Sequence, residues 1–266
     1  MSNRNTPCFC GSGKKTKKCH PDILENSVFA ELIKLYNKID KSIANNKQLN
    51  SKCKKGCSEC CSQNFGISSI EFLYILSNVI NKDKDEAWSL LEKGYNLWLK
   101  FKLENKELSI GLEDTSENKD KTIESDINFY DSVEYFLPCI FLDNETNSCT
   151  VYENRPIVCR YYGLGYIEKQ NNLSNLTFCK NTEPGIPLDN LTDLTEYQQD
   201  IYKVNKYITK NNQTMLERIY PIFYFCKIHY NEHNNHDKLL LKITELKKYS
   251  FSEISEIKFR RYLNRH

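Results

Sequence analysis

Apolar positions along this chain recur mostly at helical spacing. Ile23, Leu24, Val28, Leu32, Leu35, Tyr36 and Ile39 line one side of a predicted amphipathic helix over residues 22–47. Ser68, with Glu71 three residues on, has the form of a capping box and predicts a second helix from Ser68 to about Ile80. A third is expected over 84–108, where Trp88, Leu91, Tyr95, Trp98 and Phe101 share a side. Residues 111–126 are charged and poor in apolar side chains, which predicts a mobile loop. The period changes at 139–152. There Cys139-Ile-Phe-Leu-Asp143 and Ser148-Cys-Thr-Val-Tyr152 flank Asn144-Glu-Thr-Asn147, the pattern of a short β-hairpin. Pro156 opens a short helix carrying Cys159 and Arg160, and Gly163 and Gly165 end it. From 190 onward the pattern is helical again, interrupted at Pro221. The βαβ alternation of a Rossmann or barrel enzyme is missing, so the expected class is mainly α with a small β-hairpin.

Composition narrows the picture. Hydrophobic residues make up 39% of the 266 residues and mean hydropathy is −0.63, which fits a globular chain with a modest core. No apolar run approaches the roughly 18–20 residues of a spanning helix, so no membrane partner is expected. The first residues lack the apolar stretch of a secretory signal, and the expected compartment is cytoplasmic. In that reducing setting clustered thiols read as ligands before they read as disulfides. The net charge of +2 gives no global argument for nucleic acid as a partner.

Ten of the twelve cysteines fall into two groups. The first is Cys8, Cys10 and Cys19, with His20 beside them. Glycines after Cys10 let the chain reverse, and three thiolates with one imidazole make a closed tetrahedral set suited to structural zinc. Such a set carries about −1 formally, which Lys14, Lys15, Lys17 and Lys18 in the same loop would offset. Residues 1–21 hold almost no core-forming side chains, so they need a metal in order to fold. The run Cys8-Phe-Cys-Gly-Ser-Gly-Lys14, ending in Cys19-His20, resembles the SEC-C motif. That resemblance implies a zinc-dependent docking element for a protein partner. Four lysines with Phe9 as the one nearby aromatic make a weak case for a nucleic-acid site.

The second group is Cys53, Cys57, Cys60 and Cys61, continued by Cys139, Cys149 and Cys159, with Cys179 as a candidate eighth. The spacing of the first four places them on one helical face or, given Gly56, in a wrapped loop. Crowded thiolates repel one another unless a cation is present. Eight thiols exceed one tetrahedral site, so either two metals bind or an iron–sulfur cluster takes four of them. Arg155 and Arg160 would neutralise thiolate charge, or hold an anionic cofactor or substrate. The order Cys-x3-Cys-x2-Cys-Cys, followed by Cys149-x-x-Tyr152-x-x-Arg155-Pro156-x-x-Cys159-Arg160, resembles the CxxCxxCC, or YkgJ-type, family of zinc- or iron-chelating proteins. The resemblance covers roughly residues 50–185 and extends to flagellin lysine N-methylases. Cys53, Cys57 and Cys60 also match radical S-adenosylmethionine spacing, but Glu59 stands where that superfamily has an aromatic residue.

The expected organisation is therefore an SEC-C-like zinc motif (1–21), a linking amphipathic helix (22–48), a metal-stabilised cysteine-cluster domain (49–185) and a helical C-terminal region (186–266). Expected cofactors are zinc, with iron or an iron–sulfur cluster as the alternative at the second group. Two functions stay open: a metal-binding module that docks on a protein, or an iron–sulfur enzyme that modifies a protein side chain in the manner of a lysine N-methylase. Thiol redox sensing at Cys60-Cys61 is a third. His229, His233 and His236 recur at helical spacing and read as a solvated helix face. Cys226 reads as a small buried apolar residue. No phosphate loop and no Ser–His–Asp signature is present.

Overall fold

A computed structural model describes residues 5–45, 54–63, 65–113, 137–164, 166–170, 173–177, 179, 192–193, 219–231, 236–250 and 252–253. The fold is mainly helical, with three small sheets among the described residues. A four-residue helix α1 (Thr16–Cys19) closes the N-terminal loop, and α2 (Val28–Asn45) follows. Helix α2 begins later than the apolar spacing from residue 22 predicts. The chain before it is tied to the C-terminal end of the molecule: Leu24 N–H donates to Lys247 O at 2.9 Å and Val28 N–H to Tyr249 O at 3.1 Å. Ser27 Oγ accepts from Ala30 N–H, so the helix takes its cap there.

The capping box at Ser68 forms as its spacing predicts. Glu71 N–H donates to Ser68 Oγ, and Ser68 N–H donates to Glu71 Oε2 at 3.0 Å, opening α3 (Ser69–Lys82). Asp83 ends α3 and caps α4 (Lys84–Glu104) by accepting from Asp85 N–H and Glu86 N–H. One residue thus turns the chain between two long helices. The helix predicted over 84–108 divides at Asn105, whose backbone leaves helical geometry, and α5 (Lys106–Glu113) takes up residues 111–113 of the predicted loop. The rest of that loop lies outside the described residues.

Two C-terminal helices, α6 (Ile157–Tyr161) apart, complete the core: α7 (Ile222–Asn231) and α8 (His236–Lys248). Helix α7 lies along α4, and Phe223, Tyr224 and Phe225 meet Trp98, Phe101 and Phe72. Gly94 permits this approach. A β-carbon there would press on Cys226 Sγ and lie 2.5 Å from Cys226 Cβ, with Cys226 fully buried. Gly94→Ala should therefore force α4 and α7 apart and cost about 1–3 kcal/mol, measurable by urea unfolding, despite alanine's better helix propensity. A gain in stability would show that the two helices have slack at this point.

The region from 190 onward is not wholly helical. Strand β1 (Gly66–Ile67) pairs antiparallel with Tyr220–Pro221, and a three-stranded sheet is built from Tyr166–Gln170, Leu173–Thr177 and Thr192–Asp193. Tyr220 precedes a proline and is biased toward extended backbone, which explains the break at Pro221 as a strand end. The hairpin expected over 139–152 is present as β2 (Leu142–Asp143) and β3 (Ser148–Cys149). Asn147, at φ 49°, makes its turn. His229 and His236, the two described histidines of the expected solvated face, do not share one. His229 is buried on α7 and stacks on Phe72, whereas His236 opens α8 and stacks on Trp88 with ring centroids 3.8 Å apart. His233 lies outside the described residues.

Candidate metal centres

The N-terminal site is built by a tight loop. Cys8 N–H donates to Lys14 O at 2.8 Å, Gly11 N–H to Cys8 O at 3.0 Å and Thr16 N–H to Thr6 O at 2.9 Å. Gly11 and Gly13 hold φ of 73° and 75°, a region costly for other residues, and so allow the reversal. Helix α1 then returns Cys19 and His20 to Cys8 and Cys10. The four ligand atoms all lie within 4.8 Å of one another. Cys10 Sγ is 3.5 Å from Cys19 Sγ, and Cys8 Sγ is 3.2 Å from His20 Nδ1. Zinc–sulfur bonds of about 2.3 Å in a tetrahedron place sulfurs about 3.8 Å apart, so the loop already has close to the spacing zinc requires.

The electrostatics suit the same use. Burial pushes the Cys8 thiol up to about 12, where it stays protonated without a cation. Burial also opposes ionisation of Cys10, but hydrogen bonds from the Ser12 hydroxyl and backbone outweigh it and hold that thiol below the ordinary range. Burial lowers His20, against a weaker pull from Asp22, and this favours the neutral imidazole that ligates metals. Phe9 stacks on the His20 ring at 5.3 Å and fixes its orientation. Cys8 and Cys10 are buried in the main core, while Lys14, Lys15, Lys17 and Lys18 stand exposed around the loop.

The second group assembles from distant segments. Gly56, at φ 93°, and a 3-10 turn over Glu59–Ser62 make the stretch from Lys54 a wrapped loop rather than a helix. Cys139 N–H donates to Cys61 O at 2.8 Å and staples this loop to the β2–β3 hairpin. Helix α6 brings Cys159. Cys57, Cys60 and Cys61 then line one cavity of about 80 Å³ together with Cys139, Cys149, Cys159 and Cys179. Phe65, Phe141, Ile222 and Phe223 supply an apolar wall. Cys53 lies outside the described residues. Among the described residues the N-terminal four are the group drawn together to metal-ligand spacing.

Within the cavity four of the thiols resist ionisation. The hydrogen bond with Cys61, followed by burial, raises Cys60 well above the usual thiol range. Burial pushes Cys139 up to about 12 and raises Cys149 and, strongly, Cys159. The Arg155 charge opposes the rise at Cys60, Cys149 and Cys159. A volume lined by thiols takes a soft cation by releasing their protons to solvent. An all-sulfur donor set suits zinc or iron and disfavours magnesium or calcium.

The two arginines divide. Arg155 lines the cavity, with its guanidinium 4.0 Å over the Tyr152 ring. Arg160, expected beside it as a thiolate or cofactor partner, is directed elsewhere. Its Nη1 donates to Asp40 Oδ2 at 2.6 Å, Nε to Arg155 O and Nη2 to Glu153 O, and its plane lies 4.2 Å over Tyr36. Buried, with each of its three nitrogens bonded within the protein, it anchors α6 to α2. Sequence reasoning missed Glu71 as part of this support. Besides capping α3, its Oε1 accepts from Ile157 N–H at 2.8 Å and from the Tyr36 hydroxyl. Nothing local in the sequence signals a bond spanning 86 residues.

Residues 52–180 match the profile of the CxxCxxCC zinc- or iron-chelating domain, and residues 4–20 match the SEC-C motif. No curated protein and no solved structure gives a significant match to the chain. Both centres described above fall within the matched ranges. No described helix is long and apolar enough to cross a membrane.

Proposed function

We propose that this chain, an SEC-C motif joined to a CxxCxxCC domain, is a two-site metal protein whose N-terminal site is a docking element and whose cavity stores or presents zinc or iron. The observation that carries the reading is the convergence of Cys8, Cys10, Cys19 and His20 within 4.8 Å. Four protein ligands fill a tetrahedron, so zinc bound there has no open position for substrate and serves to hold a shape. The shape it holds presents Lys14, Lys15, Lys17 and Lys18 to solvent on a short, fixed loop. That surface suits an acidic protein partner, whose approach such a patch would steer. In the second centre the sulfurs would hold the ion, Arg155 would offset their charge, and the apolar wall would exclude water.

Metal and acid-labile sulfide analysis of anaerobically purified protein tests the reading. Wild type should carry zinc at the N-terminal site and zinc or iron in the cavity. Cys57→Ser should empty the cavity while one zinc equivalent remains. Folded wild-type protein free of transition metal would sink the proposal. The docking role predicts that exchanging the four lysines for glutamine leaves metal content unchanged and weakens binding to an acidic partner by a factor that shrinks with added salt. Metal loss in that variant would assign the lysines to the site instead of its surface.

A further inference from the structure

Tyr152, Arg155, Pro156 and Cys159 form one wall of the cysteine cavity. They stand on a short unit, a 3-10 turn (Tyr152–Asn154) followed by the five-residue helix α6. Elements this short do not hold a position by their own hydrogen bonds. Elsewhere around the cavity the backbone does the placing. Cys139 N–H donates to Cys61 O, and Cys149 pairs with Leu142 in the β2–β3 ladder. The unit that carries Cys159 is gripped by side chains of other helices instead.

Arg160 makes the grip. Two of its nitrogens turn back on the unit: Nε donates to Arg155 O and Nη2 to Glu153 O, each at 2.9 Å. These bonds tie the turn and α6 together around one guanidinium. Nη1 reaches out to α2 and donates to Asp40 Oδ2 at 2.6 Å. The guanidinium also lies 4.2 Å from the centroid of the Tyr36 ring. Tyr36 and Asp40 are four residues apart on α2 and so share a face. Only a planar fork makes these three directed bonds while stacking on a ring, which is why arginine serves here and lysine would not. Glu71 on α3 fixes the start of α6 by accepting from Ile157 N–H at 2.8 Å. With that end held, Asp40 sets the direction in which the rest of α6 runs.

We propose that Asp40, acting through Arg160, is a positioning residue for the cavity metal. It stands 120 residues before Arg160 in the chain, yet it decides where the Cys159 sulfur sits. The inference rests on the reading that the cavity holds zinc or iron. Binding constellations need their groups held to within about 0.5 Å, so a small swing of α6 suffices to cost a ligand.

The test uses anaerobically purified full-length protein. Zinc affinities are read by chelator competition and the cavity's ligand set by cobalt(II) absorption, with Cys57→Ser supplying the signal of the N-terminal site alone. Asp40→Ala should lower the cavity's zinc affinity about tenfold, the low end for partners that orient a metal ligand, and weaken its sulfur-to-cobalt charge-transfer band. Zinc affinity at the N-terminal site should not change. Asp40→Asn should fall between, since its amide oxygen still accepts from Nη1 but without the charge. Asp40→Glu should stay close to wild type, because the half-exposed position has room and the charge-assisted bond re-forms. Should Asp40→Ala fail to fold, the Asn and Glu variants carry the same comparison. A merely structural role would lower the melting temperature and leave the cobalt bands of the folded, loaded protein as they are. Wild-type cavity affinity and wild-type cobalt bands in Asp40→Ala or Asp40→Asn overturn the proposal. So does an Asp40→Glu protein as weak as the others, which would assign the loss to the shape of α2. A wild type that binds metal at the N-terminal site alone fails the underlying reading instead, and stoichiometry tells that failure apart.

Discussion

Cys10→Ser should unfold residues 5–20 while leaving α3, α4 and α7 intact. Hydrogen exchange should show the amides of Cys8, Thr16 and His20, protected in wild type by their bonds to Lys14, Thr6 and Thr16, exchanging at nearly the rate of a free peptide. The magnitudes decide this. Ordering about fifteen residues costs roughly 1–2 kcal/mol each in backbone entropy. Against that the loop has few turn hydrogen bonds and little apolar burial beyond Cys8, Cys10 and part of Phe9. Structural zinc in small Cys/His sites contributes on the order of 10–16 kcal/mol at neutral pH, more than any other contact in the segment. Losing one of four ligands forfeits most of that and leaves the buried Cys8 thiol without its cation. Chelation of wild-type protein should reproduce the same exchange pattern, and restored zinc should reverse it in wild type alone. Protection that survives Cys10→Ser would mean that packing on α2 suffices to fold the loop.

That first centre was legible in the sequence because its ligands lie within thirteen positions and two glycines mark the reversal. The second was legible only in part. Spacing grouped its cysteines, but the loop, hairpin and α6 that carry them meet through backbone bonds such as Cys139 N–H to Cys61 O, which side-chain pattern does not encode. The capping box at Ser68 and the hairpin at 139–152 were also legible, since each is a local code for local geometry. Arg160 was misread because proximity to Cys159 along the chain says nothing of direction. On α6 the two neighbours diverge, one toward the cavity and the other toward Asp40, 120 residues earlier. His229 was misread for a similar reason. Polar neighbours after Asn231 suggested a wet face, whereas α7 turns His229 inward onto Phe72 and ends before them. The strand pair Tyr166–Gln170 and Leu173–Thr177 left little signal, because Leu173-Ser-Asn-Leu-Thr177 lacks the strict alternation of a half-buried strand.

Glu71→Ala should be the most destabilising single change outside the metal ligands, by about 3–5 kcal/mol, with a fall in melting temperature of about 10 °C. The carboxylate accepts from Ser68 N–H, Ser68 Oγ–H, Tyr36 Oη–H and Ile157 N–H, all in the dry interior. Removing it strands these donors together, and each buried donor left without a partner costs about 1–3 kcal/mol. Simple addition would overshoot, because the hydroxyls can rotate to other acceptors, but the two backbone N–H groups cannot. One of them opens α3 and the other opens α6, so the same substitution frees the helix that carries Cys159. Cavity metal should therefore weaken in Glu71→Ala beyond what a purely global loss would give, while the N-terminal zinc is retained. Glu71→Gln separates shape from acceptor number. Its amide oxygen keeps one of the two anchoring bonds, so its loss of stability should be about half as large, and cavity metal should stay near wild type. Urea unfolding with metal analysis at each midpoint measures both effects. If Glu71→Ala unfolds within about 1 kcal/mol of wild type, the carboxylate is not the tie between α3 and α6, and Cys159 must be placed by Arg160 alone.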